Sequence, residues 1–182
     1  MSRKYKFHKK EGVYFISFAV VNWIDVFTRE IYFFCIIDSL EYCRQNKGLE
    51  LFGYVIMPNH MHMIFRSKDA KPSEFLRDFK GFTARKLLKL IQENQKESRR
   101  SWMLGAFKEA GTENSNVKNM QFWQQNNHPI QCYSAEIFEQ KLNYIHKNPV
   151  KAGFVTEPED WKYSSAGNYF GKSTSPIDLD TT

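Results

Sequence analysis

The segment GYVIMPNHMHMIF, residues 53–65, constrains the fold more than any other stretch of this chain. Two runs rich in apolar residues, 49–57 and 60–66, are separated only by Pro58 and Asn59. A two-residue link of turn-forming chemistry between such runs predicts a β-hairpin. Its second strand alternates His60, Met61, His62, Met63. Successive strand side chains point to opposite faces, so both imidazoles leave one face and both thioethers the other. The methionines suit a core. Two adjacent imidazoles suit either hydrogen-bonded half-burial or a shared divalent metal, because two protonated rings would repel each other.

The other elements arrange themselves around this hairpin. GVYFISFAVVNW (12–23) is dense in β-branched and aromatic residues and predicts a strand. Residues 28–48 have helical spacing, with Thr28 as a possible N-cap and Gly48 as the stop. Residues 71–94 form a long amphipathic helix with Pro72 and Ser73 at its start. Residues 95–120 are polar and basic, carry Gly105 and Gly111, and read as a loop or arm with a short helix around Trp102 to Phe107. MQFWQ (120–124) predicts a further strand. SAEIFEQKLNYIHKNP (134–149) begins with Ser134, has Glu136 in its first turn and stops before Pro149, which predicts a helix. Trp161, Tyr163 and Tyr169 anchor a short terminal element within 159–171. The order β-α-β-β-α-β-α implies an α+β sandwich with a mainly antiparallel sheet and helices packed on it. One domain is expected over 1–172, with a polar, disordered tail over 173–182.

Charge and cysteine content narrow the function class. The 182-residue chain carries a net charge of +6 and is 16% aromatic, a balance that suits either nucleic-acid binding or plain solubility. Cys35, Cys43 and Cys132 are odd in number and lack CxxC spacing, which argues against a disulfide framework and for a reducing cytoplasm. The basic N-terminus has no apolar core of a signal peptide, and no apolar run approaches the ~20 residues of a membrane span.

A second cluster lies in YIHKNPV. Tyr144 and Asn148 are four residues apart, hence on one helical face, while His146 lies ~200° round from Tyr144 and points elsewhere. Taken singly, Tyr144 reads as a packed ring and Asn148 as an ordinary helix-ending residue. Taken with the histidine pair, a phenol nucleophile and a carboxamide ligand complete a reaction centre.

MPNHMHMIF resembles the His-hydrophobic-His motif of the single-strand tyrosine transposases. LNYIHKNPVKAGFV, with FWQ upstream and WKYSSAGNYF downstream, resembles the REP-associated tyrosine transposase branch over roughly residues 5–170. In the self-mobilising insertion-sequence relatives a glutamine typically stands in the place of Asn148. The resemblance implies a ferredoxin-like two-layer sandwich, the HUH endonuclease fold. It implies Tyr144 as nucleophile, His60, His62 and Asn148 as ligands of Mg²⁺ or Mn²⁺, and a 5′-phosphotyrosine intermediate. The implied partner is single-stranded or hairpin DNA of the repetitive extragenic palindrome class, bound by a monomer or a homodimer. Candidate phosphate contacts are Arg3, Lys4, Lys6, Lys9 and Lys10 in the N-terminal arm, and Arg77, Lys80, Arg85 and Lys86, with Lys89, in the long helix. No general base stands out. The rival readings are a domesticated hairpin-binding protein that no longer transposes and a metal-dependent hydrolase.

Overall fold

A computed structural model of the chain describes residues 7–114, 119–125, 127–172 and 175–181. Strand β1 (Tyr14–Ala19) leads through a single 3₁₀ turn to helix α1 (Glu30–Asn46). The hairpin β2 (Leu49–Ile56) and β3 (His60–Ser67) follows, then α2 (Pro72–Glu93) and α3 (Arg100–Thr112). A short β4 (Ile130–Gln131) precedes α4 (Ala135–His146), α5 (Asn148–Lys151) and α6 (Ala166–Tyr169). The four strands pair antiparallel in the order β2-β3-β1-β4. This is the predicted α+β sandwich of ferredoxin-like strand order. Among the described residues no helix is long and apolar enough to cross a membrane.

The two faces of the sheet bury different cores. Tyr14, Ile16 and Phe18 of β1 and Met61, Met63 and Phe65 of β3 meet α1, α2 and α3. On the other face Phe15, Phe52, Val55 and Ile64 meet Phe138, Leu142 and Ile145 of α4. A register shift between Leu51 and Gly53 forms a bulge in β2, so Phe52 and Gly53 both face α4 and Val55 follows on that side. Gly53 then lets α4 approach closely. A Cβ there would lie 2.8 Å from Leu142 Cδ1 and 3.1 Å from Ile145 Cδ1.

Four expectations need correction. The strand predicted at 120–124 is reduced to an isolated bridge between Trp123 and Val20, and the fourth strand proper is β4. Both pieces run along the same edge of β1. Residues 95–120 hold a full helix, α3, because Met103, Phe107 and Gly111 recur at four-residue spacing and are buried. Thr28 does not cap α1; its hydroxyl accepts from Arg99 Nη2. Residues 175–181 of the polar tail are held in place: Ile177 is buried, and Asp180 pairs with Arg44 and accepts from the Leu51 amide. One apolar side chain and one paired carboxylate anchor it, which average polarity does not reveal.

Candidate active site

Strand register sets the first half of the site. Ala19 and Ser17 of β1 stand opposite His60 and His62 of β3. As the alternation predicts, Met61 and Met63 enter the opposite core. The two imidazole centroids are 4.9 Å apart. His62 stacks on Phe15 at 5.5 Å and is buried.

Helix α4 sets the second half. The Ser134 hydroxyl accepts from the Ile137 amide and caps it as predicted. Phe138, Leu142 and Ile145 form the apolar stripe that seats the helix on the sheet. The neighbouring stripe, Lys141, Tyr144 and Asn148, faces the histidines. Tyr144 meets His62 edge-on at 5.2 Å and Phe15 at 5.9 Å, and is 43% exposed, so its phenol is open to a ligand. Lys151 Nζ lies 5.8 Å over the Tyr144 ring, and Lys141 Nζ lies 5.3 Å over Phe15. The helix predicted to stop before Pro149 ends at His146, and α5 begins at Asn148. Pro149 has no N–H to give the preceding turn, which separates the two helices. Asn148 nevertheless reaches the site, with Nδ2 3.2 Å from His62 Nε2. His146 points away, as predicted, and bonds Ser165 Oγ at 2.8 Å.

Proton placement follows from the partners. Asn59 Nδ2 donates to Asp25 Oδ1 at 2.8 Å, which aims Asn59 Oδ1 at His60 Nδ1, 2.7 Å away. A carbonyl oxygen only accepts, so the His60 proton sits on Nδ1 and the Nε2 lone pair is free. Burial lowers the His60 pKa, opposed by the Asn148 side chain and the Asp25 charge. Burial, with repulsion from His60, pushes His62 down to about 3. Both rings are therefore neutral at pH 7, as metal ligands must be. The His62 Nδ1 is buried without a partner, a loss that a bond at Nε2 would help to offset.

The donor set fits a hard-to-borderline divalent ion. Two imidazole nitrogens and one carboxamide, which can turn its oxygen inward, leave room for water and a phosphate oxygen. The 3.2 Å between His62 Nε2 and the Asn148 amide is close to the ~3 Å edge of an octahedron with ~2.1 Å bonds. Among the described residues no three His, Cys, Asp or Glu side chains cluster as a metal site.

Among the described residues, the predicted phosphate contacts are not gathered at this centre. Arg3, Lys4 and Lys6 lie outside the described residues. Lys9 and Lys10 are exposed ahead of Tyr14, at the end of β1 remote from His60. Arg77, Arg85, Lys86 and Lys89 ride on α2, across the sheet from Tyr144. Arg77 pairs with Asp78, Lys89 with Glu93, and Lys86 lies over Phe82. Lys80 turns inward and donates to Gln124 O and Asn127 Oδ1, where the chain leaves β1 between Trp123 and β4. Burial lowers it to about 8. It is a structural plug rather than a solvent-facing cation. The residues that sequence reading passed over are Phe15, Asp25, Lys141 and Lys151, together with Asn59, which was read only as a turn residue. Asn59 lies inside the histidine motif and Lys141 and Lys151 flank the Tyr144–Asn148 pair, whereas Phe15 and Asp25 come from distant segments and had no local signal.

No curated protein matches the chain. A solved REP-associated tyrosine transposase, bound to a REP hairpin, superposes with a TM-score of 0.65 at 20% identity, covering 100% of this chain and 93% of that one; the likeness is one of fold. A candidate transposase from Deinococcus radiodurans gives a TM-score of 0.47 at 18% identity, with 81% and 95% covered. The model of the family described as IS200-like transposase matches residues 16–121, more than half of the chain and the whole histidine hairpin. With both histidines inside the matched segment and the four-stranded sheet that presents them in place, the chain belongs to the IS200-like transposase family.

Proposed function

We propose that the protein cleaves and rejoins single-stranded DNA beside a hairpin-forming palindrome, using Tyr144 as nucleophile. The observation that carries this reading is the 5.2 Å approach of the Tyr144 ring to His62 of the same chain, with the Asn148 amide 3.2 Å from that histidine. Nucleophile, ligand pair and third ligand converge without a second copy, so a monomer suffices. The phenol oxygen forms a bond to phosphorus while the bond to the 3′ oxygen breaks. A 5′-phosphotyrosine and a free 3′-OH result, and attack by another 3′-OH reverses the step without ATP. His60, His62 and Asn148 would hold Mg²⁺ or Mn²⁺, with the two imidazoles favouring Mn²⁺. The bound ion would polarise a non-bridging phosphate oxygen. The Lys151 ammonium, over the Tyr144 ring, would pair with the phosphate that Tyr144 attacks.

The test is a denaturing gel with a labelled single-stranded hairpin oligonucleotide, Mn²⁺ and the protein. The expected result is a covalent adduct that is absent from the matched perfect duplex, whose backbone is too stiff to enter the site. Tyr144→Phe should abolish the adduct while gel-shift binding survives. Binding without any cut in the wild type would favour a domesticated hairpin-binding protein. Hydrolysis without adduct would favour a metal-dependent hydrolase.

A further inference from the structure

The turn between β1 and α1 presents an aromatic ring to solvent at a conformational cost. Asn22 and Trp23 both have positive φ, 55° and 54°. The Ile24 amide bonds the Val21 carbonyl across them at 3.3 Å, so they occupy the two central places of a tight turn with left-handed residues. Such turns favour Asn-Gly. Asparagine is in its favoured place, but tryptophan stands where glycine belongs, and a bulky residue at positive φ is a real outlier. Burial of the indole does not explain it. Val21 and Ile24 on either side are only 4% and 5% exposed, whereas Trp23 is 58% exposed. Among the described residues its ring contact is His60, edge-on at 5.7 Å. Trp23, His60, His62 and Tyr144 thus form a row of rings that begins on an open indole face and ends on the nucleophile.

We propose that Trp23 is a stacking platform for an unpaired nucleobase flanking the phosphate that Tyr144 attacks, a role that rests on the strand-cleavage reading above. Strain tolerated beside a reaction centre points to function when it supplies no packing. A flat, uncharged face suits a nucleobase, because every base has a π-face and stacking on an aromatic ring tolerates any sequence. The exposed Asp25 carboxylate, two residues on and tied to Asn59, repels a phosphate from this corner. The platform would fix one base and so place the neighbouring phosphodiester over His60 and His62.

The experiment is a thermodynamic cycle read by fluorescence anisotropy. Wild type and Trp23→Gly are titrated with a labelled hairpin carrying a single-stranded flank, intact or abasic at each flank position in turn. Glycine accepts positive φ, so this variant removes the ring and relieves the turn; its melting temperature should equal or exceed that of the wild type. The expected result is about tenfold weaker binding at one abasic position, the same loss for Trp23→Gly on intact DNA, and no further loss when both are combined. Trp23→Phe should restore most of the affinity. Losses that multiply independently, no loss at any position, or a destabilised Trp23→Gly would overturn the proposal. The covalent-adduct gel reports on Tyr144 separately: an adduct with no stacking cycle removes the platform alone, and a stacking cycle with no adduct removes the cleavage chemistry alone.

Discussion

Strand β3 has two faces with opposite fates. Met61, Met63 and Phe65 enter a core closed by α1, α2 and α3, all three of them fully buried. One residue over, His60 and His62 enter a layer covered by α4, thin enough to leave Tyr144 43% exposed. The same backbone thus carries stability on one side and chemistry on the other. The difference teaches that a neutral, desolvated imidazole pair can be built cheaply when a rigid apolar face on the same strand holds it in register.

The sharpest way to break the comparison is to cut one side chain from each face. Met63→Ala should cost ~2–5 kcal/mol of stability through its cavity, while cleavage, assayed well below the lowered melting temperature, stays near wild type. His62→Ala should cost less than about 2 kcal/mol, because it also removes a buried nitrogen without a partner, yet lower Mn²⁺-dependent cleavage by more than about 100-fold. Urea melts and single-turnover cleavage on both variants check this. Equal effects on both readouts would erase the distinction between the faces.

Between pH 7 and pH 5 acidity should act mainly on the α4 face. His62 and His146 lie on the α4 side, with pKa values pushed by burial to about 3 and about 4 from an ordinary 6.5. The unfolded chain takes up these protons below about 6.5, whereas the folded chain refuses them until near the lower values. Stability is therefore complete above pH 6.5 and falls as the pH drops through that window. At pH 5 the loss is about 2 kcal/mol for each ring in metal-free protein. On the α1 side burial raises the Glu97 carboxyl, but bonds from Arg99 and Arg29 outweigh it and hold it down to about 2, so its loss begins only below about pH 4.5. Urea midpoints at pH 7 and pH 5 with chelator should show the fall, and His146→Gln should remove part of it.

A smaller effect tests the support of the site. Asp25→Ala should leave Asn59 free to turn and lower cleavage by about tenfold, as loss of an outer partner does, with Asp25→Asn restoring most of it through its side-chain oxygen. Global stability should hardly change, since Asp25 is exposed. The smallest effect separates cations by their place. Lys151→Ala should reduce the slope of log K against log salt by about 0.7, the value of one phosphate contact on a single strand, whereas Lys80→Met should leave the slope unchanged.

Much of this molecule was legible in one dimension. Periodicity alone placed the hairpin, α1, α2 and α4, and the alternation of His60 to Met63 fixed which side chains share a face, because strand geometry has period two whatever the fold. Helical spacing likewise put Tyr144 and Asn148 together and turned His146 away. Other features depended on partners far along the chain. That Tyr144 faces the histidines at all depends on Gly53, whose missing Cβ admits α4. The His60 tautomer depends on Asp25, 34 residues from its Asn59 partner. Lys80 reads as one more cation on a basic helix until the break between Trp123 and β4 gives its ammonium two oxygens to bond. Local sequence determines direction and periodicity through the backbone; only tertiary packing decides which directions converge, because convergence is set by contacts between segments that sequence spacing leaves unrelated.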